Sequence, residues 1–296
     1  MDRFVQLHFL KAGLFTTVQD QGRLGYQAFG VPTSGALDRS AAELANQIVG
    51  NSADSPVLEI TLMGPKIKFA GKGEIAITGA NLSPTLNGES CASNELLSIG
   101  DGDLLQFGRP VFGCRAYLAV RGNWQIPSWL SSRSAITQNG TALTPQSIIQ
   151  KGTIIQVEPA AENLFTPRTT EVRQTADTSI IRVLPGPEFE RFSRFSIGEF
   201  FGQTYHITPD SNRMGYRLKE KLRSFSPNQE LISSGIIPGT IQITSAGQPI
   251  ILLADAQTSG GYYRIANVLS EDLDNLAQCK PGDRLRFTLI AFEDLG

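Results

Sequence analysis

The chain has 296 residues, with 26 Lys and Arg against 28 Asp and Glu and a net charge of -2. That length calls for two domains or one large β domain, and the near-neutral balance, with no basic stripe interleaved with aromatics, excludes an extended nucleic-acid surface. Three cysteines, Cys91, Cys114 and Cys279, lie far apart without a Cys-x-x-Cys pair and read as reduced thiols.

The start of the chain, Met1 to His8, has neither a basic n-region nor a long apolar h-region, and the apolar run Ile250 to Ala254 is too short to span a bilayer. The expectation is a cytoplasmic protein with no membrane partner. Val5 to Val18 alternates in one or two strands broken at Lys11, Ala12 and Gly13. A Gly/Pro-punctuated loop, Gly30 to Asp38, then leads into apolar residues at helical spacing, with Asp38 as N-cap and Gly50 as the closing glycine. From Val57 to Phe107 strands and turns follow closely, and Arg115 to Val120 adds another strand, so an antiparallel sheet or barrel is expected. Trp124 to Gln150 reads as irregular, Thr153 to Val157 as a strand, and residues 159 to 178 as the linker. Beyond it come a strand at Ile180 to Leu184, a short helix started by Pro187 with Phe189, Phe192 and Phe195 on one face, and strands at Gly239 to Ile243 and Pro249 to Ala254. A polar loop from Asp255 to Tyr262, a helix near Ser270 to Ala277 and a last strand complete the pass.

Two echoes cross the linker. Asp20-x-x-Arg23-x-Gly25-Tyr26 returns as Asp210-x-x-Arg213-x-Gly215-Tyr216, and Gly102-Asp103-x-Leu105-x-Phe107 returns, with a similar gap, as Gly282-Asp283-x-Leu285-x-Phe287. Ordered echoes so far apart indicate duplication of one β unit of domain size.

Several chemistries lack material. With only His8 and His206, a histidine triad or a His-rich metal site has almost nothing to work with, and no metal is expected. There is no Gly-x-Ser-x-Gly and no phosphate loop of the Gly-x-x-x-x-Gly-Lys-Ser/Thr type. No lysine sits in the Met-Lys-Met context that carries biotin covalently. What remains is Asp, Arg, Gln, Asn and Ser/Thr at turns, a set suited to binding carboxylate, carbamoyl or ureido groups. In the duplicated motif, Arg23 and Arg213 read either as clamps for an anion or carbonyl, oriented by Asp20 and Asp210, or as ion bridges pinning β-turns. Gln19 precedes Asp20 whereas Pro209 precedes Asp210, so the copies are expected to divide scaffold and catalytic duties. The Gly30 to Asp38 loop offers helix N-terminal N–H groups, but Asp38 would satisfy them and repel an anion, which favours a plain cap. The loop Asp255 to Tyr262, directly after the most apolar strand, is read as functional, since a hairpin loop alone does not call for Asp255, Gln257 and Thr258 together.

These residues resemble a known family. Thr17 to Gly25, Gly30 to Asp38, Ala45-Asn46, Gly50-Asn51, Leu58 to Leu62 with Gly64-Pro65, Tyr117 to Val120, Ser132-Arg133-Ser134, Arg182 to Pro187, Arg213-Met214-Gly215, Pro238-Gly239-Thr240 and Ala254 to Tyr262 are similar to the C subunit of ATP-dependent 5-oxoprolinase. The family is also described as KipI antagonist (KipA) or allophanate hydrolase subunit 2, among biotin-dependent carboxyltransferase-like proteins. The resemblance implies a mainly β chain of two related cyclophilin-like β-barrel domains with a few short helices, at 1–165 and 175–296, between which strands can be exchanged. It implies a KipI-like B subunit as partner and an A subunit for the full reaction, cleavage of 5-oxo-L-proline to L-glutamate. ATP with Mg would serve the complex rather than a motif in this chain, no biotin would be attached to it, and the chain alone would be inactive. The alternatives are a KipI-binding antagonist that regulates a histidine kinase, and the carboxyltransferase part of a urea carboxylase-like system. Departures from the family pattern are Gly122-Asn123 for Gly-Gly, Tyr263 for Pro after Gly261-Tyr262, and Thr144-Pro145 and Gly152-Thr153 for Gly-Arg and Gly-Asp. The candidate catalytic residues are then Asp20, Arg23, Arg213 and Asp255, and the candidate substrate contacts Gln19, Ser34, Asp38, Arg133, Gln257, Thr258 and Tyr262.

Overall fold

Alternation in β1 (Val5–Lys11) buries Val5, Leu7 and Phe9 on one face, as a strand's two-residue period requires. The computed structural model describes residues 4–138, 141–160, 179–225 and 231–290, and the chain is mainly β. Contacts divide it into two units, Met1–Arg23 with Ser34–Gln174, and Leu24–Thr33 with Thr175–Gly296. The expected linker lies almost wholly outside the described residues.

In the first unit β2 (Phe15–Gln19), α1 (Arg39–Val49), β3 (Val57–Thr61), β4 (Lys66–Ala70), β5 (Gly73–Asn81), β6 (Leu96–Ile99), β7 (Leu104–Gln106), β8 (Phe112–Val120) and β9 (Ile154–Glu158) follow β1. One sheet runs Asn123–Trp124, β9, β1, β4, β7, Thr85–Leu86, Glu89–Ser90, and a second runs β2, β3, β8, β5, β6. Side chains of the two, among them Leu7, Phe9, Leu58, Ile60, Ile75, Ile77 and Leu118, form one core. The opposite face of the second sheet, Val57, Ala76, Tyr117 and Ala119, is covered by Ala41, Ala45, Ile48 and Val49 of α1. That helix starts where expected, the Asp38 carboxylate accepting from Ala41 N at 2.9 Å, and stops at Gly50 in the left-handed region, φ 74°.

The second unit carries β10 (Ile180–Pro185), α2 (Arg194–Gly202), β11 (Tyr205–His206), β12 (Gly215–Arg217), β13 (Thr240–Ile243), β14 (Pro249–Leu252), β15 (Tyr263–Val268), α3 (Ser270–Ala277) and β16 (Arg284–Leu289). Its sheet runs β11, β16, β10, β15, β13, β14, β12, with β10 and β16 parallel and the other pairs antiparallel. Two expectations are corrected here. The helix expected from Pro187 begins at Arg194, because Phe192 is extended and the Ser193 hydroxyl accepts from Ser196 N at 3.1 Å; Phe195 consequently points outward. The stretch Tyr263–Val268, for which the sequence pattern predicts no strand, is a central strand of the sheet.

Three turns that feed strands share one hydrogen-bond pattern. Before β7, Asp103 accepts from Gly100 N at 2.6 Å, Gly102 N donates to Phe69 O at 2.9 Å and Phe69 N to Asp103 O at 2.8 Å. Before β16, Asp283 accepts from Lys280 N at 2.9 Å, Gly282 N donates to Ile207 O at 2.9 Å and Ile207 N to Asp283 O at 3.0 Å. Before β9, Thr153 Oγ1 accepts from Gln150 N at 3.0 Å, and Gly152 and Thr153 bond Phe9 in the same way at 2.8 and 3.0 Å. All three glycines have φ of 85 to 92°. The Gly-Asp echo is thus a structural repeat, and Thr153 supplies the acceptor that aspartate supplies elsewhere.

Candidate functional site

The two copies of the Asp/Arg motif do different things. In the first, Asp20 follows β2 and its carboxylate accepts from Gly22 N at 2.8 Å, Ser132 Oγ at 2.6 Å, Arg133 N at 2.6 Å and Ser134 Oγ at 2.6 Å. Arg23 is fully buried and donates to main-chain carbonyls of the same segment, Trp129 O at 3.1 Å and Ser134 O at 2.6 Å, with its guanidinium 5.2 Å from the centre of the Trp129 ring. Carboxylate and guanidinium therefore grip the 129–134 segment from two sides instead of pairing with each other. Within it, Leu130 and Ser131 hold φ of 50° and 62°, a conformation costing about 1–2 kcal/mol each for L-residues, which the surrounding bonds must offset.

The neighbouring candidates are equally enclosed. Gln19 is buried, its amide donating to Thr17 Oγ1 at 2.9 Å, while its Oε1 and the hydroxyl of buried Ser34 have no hydrogen-bond partner among the described residues. Ser34 has φ 56°, and the next residue, Gly35, lies against the backbone of Asp20 to Gly22. Arg133 uses its Nε on Ile126 O at 3.0 Å. Asp38 is the helix cap, and its own N–H donates at 2.8 Å to Tyr117 Oη, which donates at 2.9 Å to Glu59 Oε2. Glu59 also accepts from Leu37 N at 2.9 Å, and burial, then the charges of Glu59 and Asp38, push the Tyr117 hydroxyl well above its ordinary pKa. This network is a scaffold for the 33–38 loop that sequence reasoning did not find, because its members lie far apart in the chain.

In the second unit Arg213 is held by Asp255, not by Asp210. Its Nε donates to Asp255 Oδ2 at 2.8 Å and its Nη2 to Oδ1 at 3.1 Å, a two-point pair with side chains 6% and 4% exposed. Asp255 N donates to Arg213 O at 3.1 Å, and Leu253 N to Met214 O at 3.0 Å, so the end of β14 is tied to the turn before β12 through backbone as well as side chains. Asp210 is exposed.

Immediately after this pair the chain borders a small open cavity of about 210 Å3, open solvent included, contained in the second unit. Gln257 and Thr258, two of the candidate substrate contacts, line it together with Gln27 and Thr33, which the sequence did not single out. The remaining wall is apolar, with Pro32, Ile236, Leu253 and Ala256 among it. Tyr262 is 46% exposed and is not part of the lining. The structure therefore gathers Asp20, Arg23 and Arg133 in one cluster of the first unit, and Arg213 and Asp255 beside Gln257 and Thr258 in the second. Among the described residues no group of three His, Cys, Asp or Glu is disposed to hold a metal ion, and no helix is long and apolar enough to cross a membrane.

Comparison with known proteins gives a consistent picture. Residues 29–289 match the family of the carboxyltransferase domain, subdomain A and B. The chain is 36% identical to the C subunit of 5-oxoprolinase from Escherichia coli over 288 residues, covering 97% of this chain and 92% of that protein. It is 30% identical to the C subunit of 5-oxoprolinase from Haemophilus influenzae, covering 94% and 89%. Among solved structures, the urea amidolyase of K. lactis superposes with a TM-score of 0.83 at 30% identity, over 97% of this chain but 19% of that one.

Proposed function

The chain belongs to the carboxyltransferase domain family, subdomain A and B, and from that premise we propose that it works as the C subunit of a 5-oxoprolinase, in the ATP-dependent cleavage of 5-oxo-L-proline to L-glutamate. The observation that carries this is the match to the E. coli 5-oxoprolinase chain over 92% of its length, since a match of that extent leaves little room for a differently built protein. The urea amidolyase likeness supports the same carboxyltransferase body, but it covers 19% of that chain, so the rest of that enzyme has no counterpart in this alignment.

The residues present limit what this chain contributes. The sequence has no phosphate loop of the Gly-x-x-x-x-Gly-Lys-Ser/Thr type, which favours seating ATP and magnesium elsewhere in the complex. We assign them to companion chains, a KipI-like B subunit and an A subunit, and the chain alone is expected to be inactive. Its own share is to hold the amide. Gln257 and Thr258 border the cavity and offer N–H and O–H donors to a carbonyl oxygen and acceptors to an amide N–H. The buried Arg213–Asp255 pair fixes the loop that presents them.

Mixing the purified chain with its companion subunits and following ATP-dependent glutamate release tests the proposal. Product formation that needs this chain is the expected result; its absence with every companion present and ATP supplied would overturn it.

A further inference from the structure

We infer that one end of the first unit is a docking surface for a protein partner with an apolar centre and a rim of carboxylates, a companion subunit of the enzyme. The inference rests on the subunit role just proposed and says where on this chain such a partner sits.

Several turns meet at that end. The turn leaving β1 lies against Met63 and Gly64, since Leu14 N donates to Met63 O at 2.7 Å and a Cβ on Gly13 would strike Met63 O. Leu62 N donates to Cys114 O at 2.8 Å and Val111 N to Asn81 O at 2.8 Å, which joins the start of β8 and the end of β5 to the same surface. A Cβ on Gly64 would strike the Phe107 ring, and Gly152 N donates to Phe9 O at 2.8 Å, which adds the turns after β7 and before β9. The ends of both sheets are thereby continuous.

This surface is apolar. Leu10, Leu14, Met63, Val111 and Phe112 are 43–70% exposed. They belong to the segments just joined, so they are neighbours rather than the scattered apolar residues that any protein surface carries, and a contiguous exposed patch marks a place that another body covers. Methionine and phenylalanine are residues that the centres of protein interfaces favour.

Its charge has one sign. Segments 10–14, 62–66, 81–84, 107–113 and 150–153 carry Lys11, Lys66, Arg109 and Lys151 and not one Asp or Glu, in a chain whose net charge is -2. Lys11 and Lys66 face each other across β1 and β4. None of these cations is in an ion pair among the described residues. Electrostatic complementarity therefore calls for carboxylates on whatever docks here.

The two properties together choose the occupant. A second copy related by a two-fold axis would bring the same patch against itself and set cations on cations. An anionic membrane would satisfy the charge, but the usual device for lying on a membrane is an amphipathic helix, and here each exposed apolar residue sits in a turn or at a strand end. A folded protein surface with an acidic rim satisfies charge and shape at once.

The test follows association of the full chain with the purified companion subunits by biolayer interferometry at several salt concentrations. Wild type should bind a companion with an on-rate that falls as salt rises. Met63→Ser with Val111→Ser should weaken binding about 5-fold or more, the effect of losing a contributing interface residue. Lys11→Glu with Lys66→Glu, which leaves the apolar patch in place, should slow association and flatten its salt dependence. Phe195→Ser, at an 84% exposed position of α2 in the second unit, should bind as wild type. Absence of binding by wild type, binding unchanged in both double variants, or an equal loss in Phe195→Ser would overturn the inference. So would self-association of wild type that Met63→Ser with Val111→Ser abolishes, which assigns the patch to a second copy, or sedimentation with phosphatidylserine vesicles that the lysine reversals abolish, which assigns it to a membrane. The outcome separates from that of the enzyme proposal. Binding through this end by a chain whose reconstituted complex releases no glutamate keeps the surface and removes the 5-oxoprolinase reading. An active complex whose assembly is indifferent to both double variants keeps that reading and removes the surface.

Discussion

Replacing Asp255 with alanine removes two carboxylate acceptors from a guanidinium that is only 6% exposed. Breaking a buried pair from one side costs about 3–5 kcal/mol, because the remaining ion has lost water and found no replacement. The pair itself is worth less than that figure suggests. Arg213→Met with Asp255→Leu removes both members of the pair together, and exchanges of this kind are often neutral or stabilising by about 1–4 kcal/mol. Urea unfolding followed by far-UV circular dichroism should therefore show Asp255→Ala and Arg213→Ala each losing about 3–5 kcal/mol, and the double variant losing far less than their sum. The same three proteins, added to the companion subunits, separate scaffold from chemistry. A stable double variant that supports glutamate release makes the pair a scaffold; a stable double variant that does not gives the guanidinium or the carboxylate a direct part. A loss below about 1 kcal/mol for Asp255→Ala, or a double variant as damaged as the summed singles, would refute the reasoning.

Asp20→Ala strips one acceptor from Gly22 N, Ser132 Oγ, Arg133 N and Ser134 Oγ together, and should cost about 3–5 kcal/mol in the same unfolding assay. Gly35→Ala puts a Cβ 2.9 Å from Asp20 O on a backbone at φ 89°; the left-handed conformation alone costs about 1–2 kcal/mol, so a loss under about 1 kcal/mol would contradict the close approach. Glu188 gives the pH dependence: burial works to raise its pKa, but hydrogen bonds and charge from Arg264 outweigh it and hold the carboxyl below its ordinary 4.5. A depressed carboxylate stabilises the fold above the unfolded value and loses that contribution as pH falls through the folded one. Thermal melts should accordingly show wild type losing its advantage over Glu188→Gln below pH about 4.5, and a constant difference down to about pH 3 would rule this out.

What the sequence disclosed was local. Asp38 and Gly50 bracket α1 because a cap bonds residues three or four away, and the Gly-Asp turns before β7 and β16 are visible because glycine and acceptor adjoin. Thr153 hides the third such turn behind a change of residue type that keeps the acceptor. Tyr263–Val268 escapes the pattern because a register shift opposite Ile241 and Gln242 breaks its alternation and leaves Ile265 and Ala266 adjacent and both buried. The partners of the two arginines were not legible, because Asp255 is 42 residues from Arg213 and the carbonyls held by Arg23 are 106 and 111 residues away. The two Asp-x-x-Arg copies, alike in sequence, hold different partners, whereas the Gly-Asp copies share one turn because their acceptor bonds a backbone N–H three residues before it.

The cavity and the ion pair are mechanically one device. β14 is buried along its whole length, and the residues that leave it are pinned by Leu253 N to Met214 O, Asp255 N to Arg213 O and the two-point pair before Gln257 and Thr258 are reached. Polar groups that must meet a ligand work best when the backbone beneath them cannot move, since a rigid site has no ordering cost on binding. A buried charge pair is an expensive way to stabilise a fold but an effective way to fix one geometry. On this argument Asp255→Asn, which retains part of the hydrogen bonding, should raise the KM of the reconstituted complex for 5-oxoproline even though residue 255 does not line the cavity. A KM equal to wild type in a measurably destabilised Asp255→Asn chain would show that the pair supports the fold and leaves the cavity indifferent.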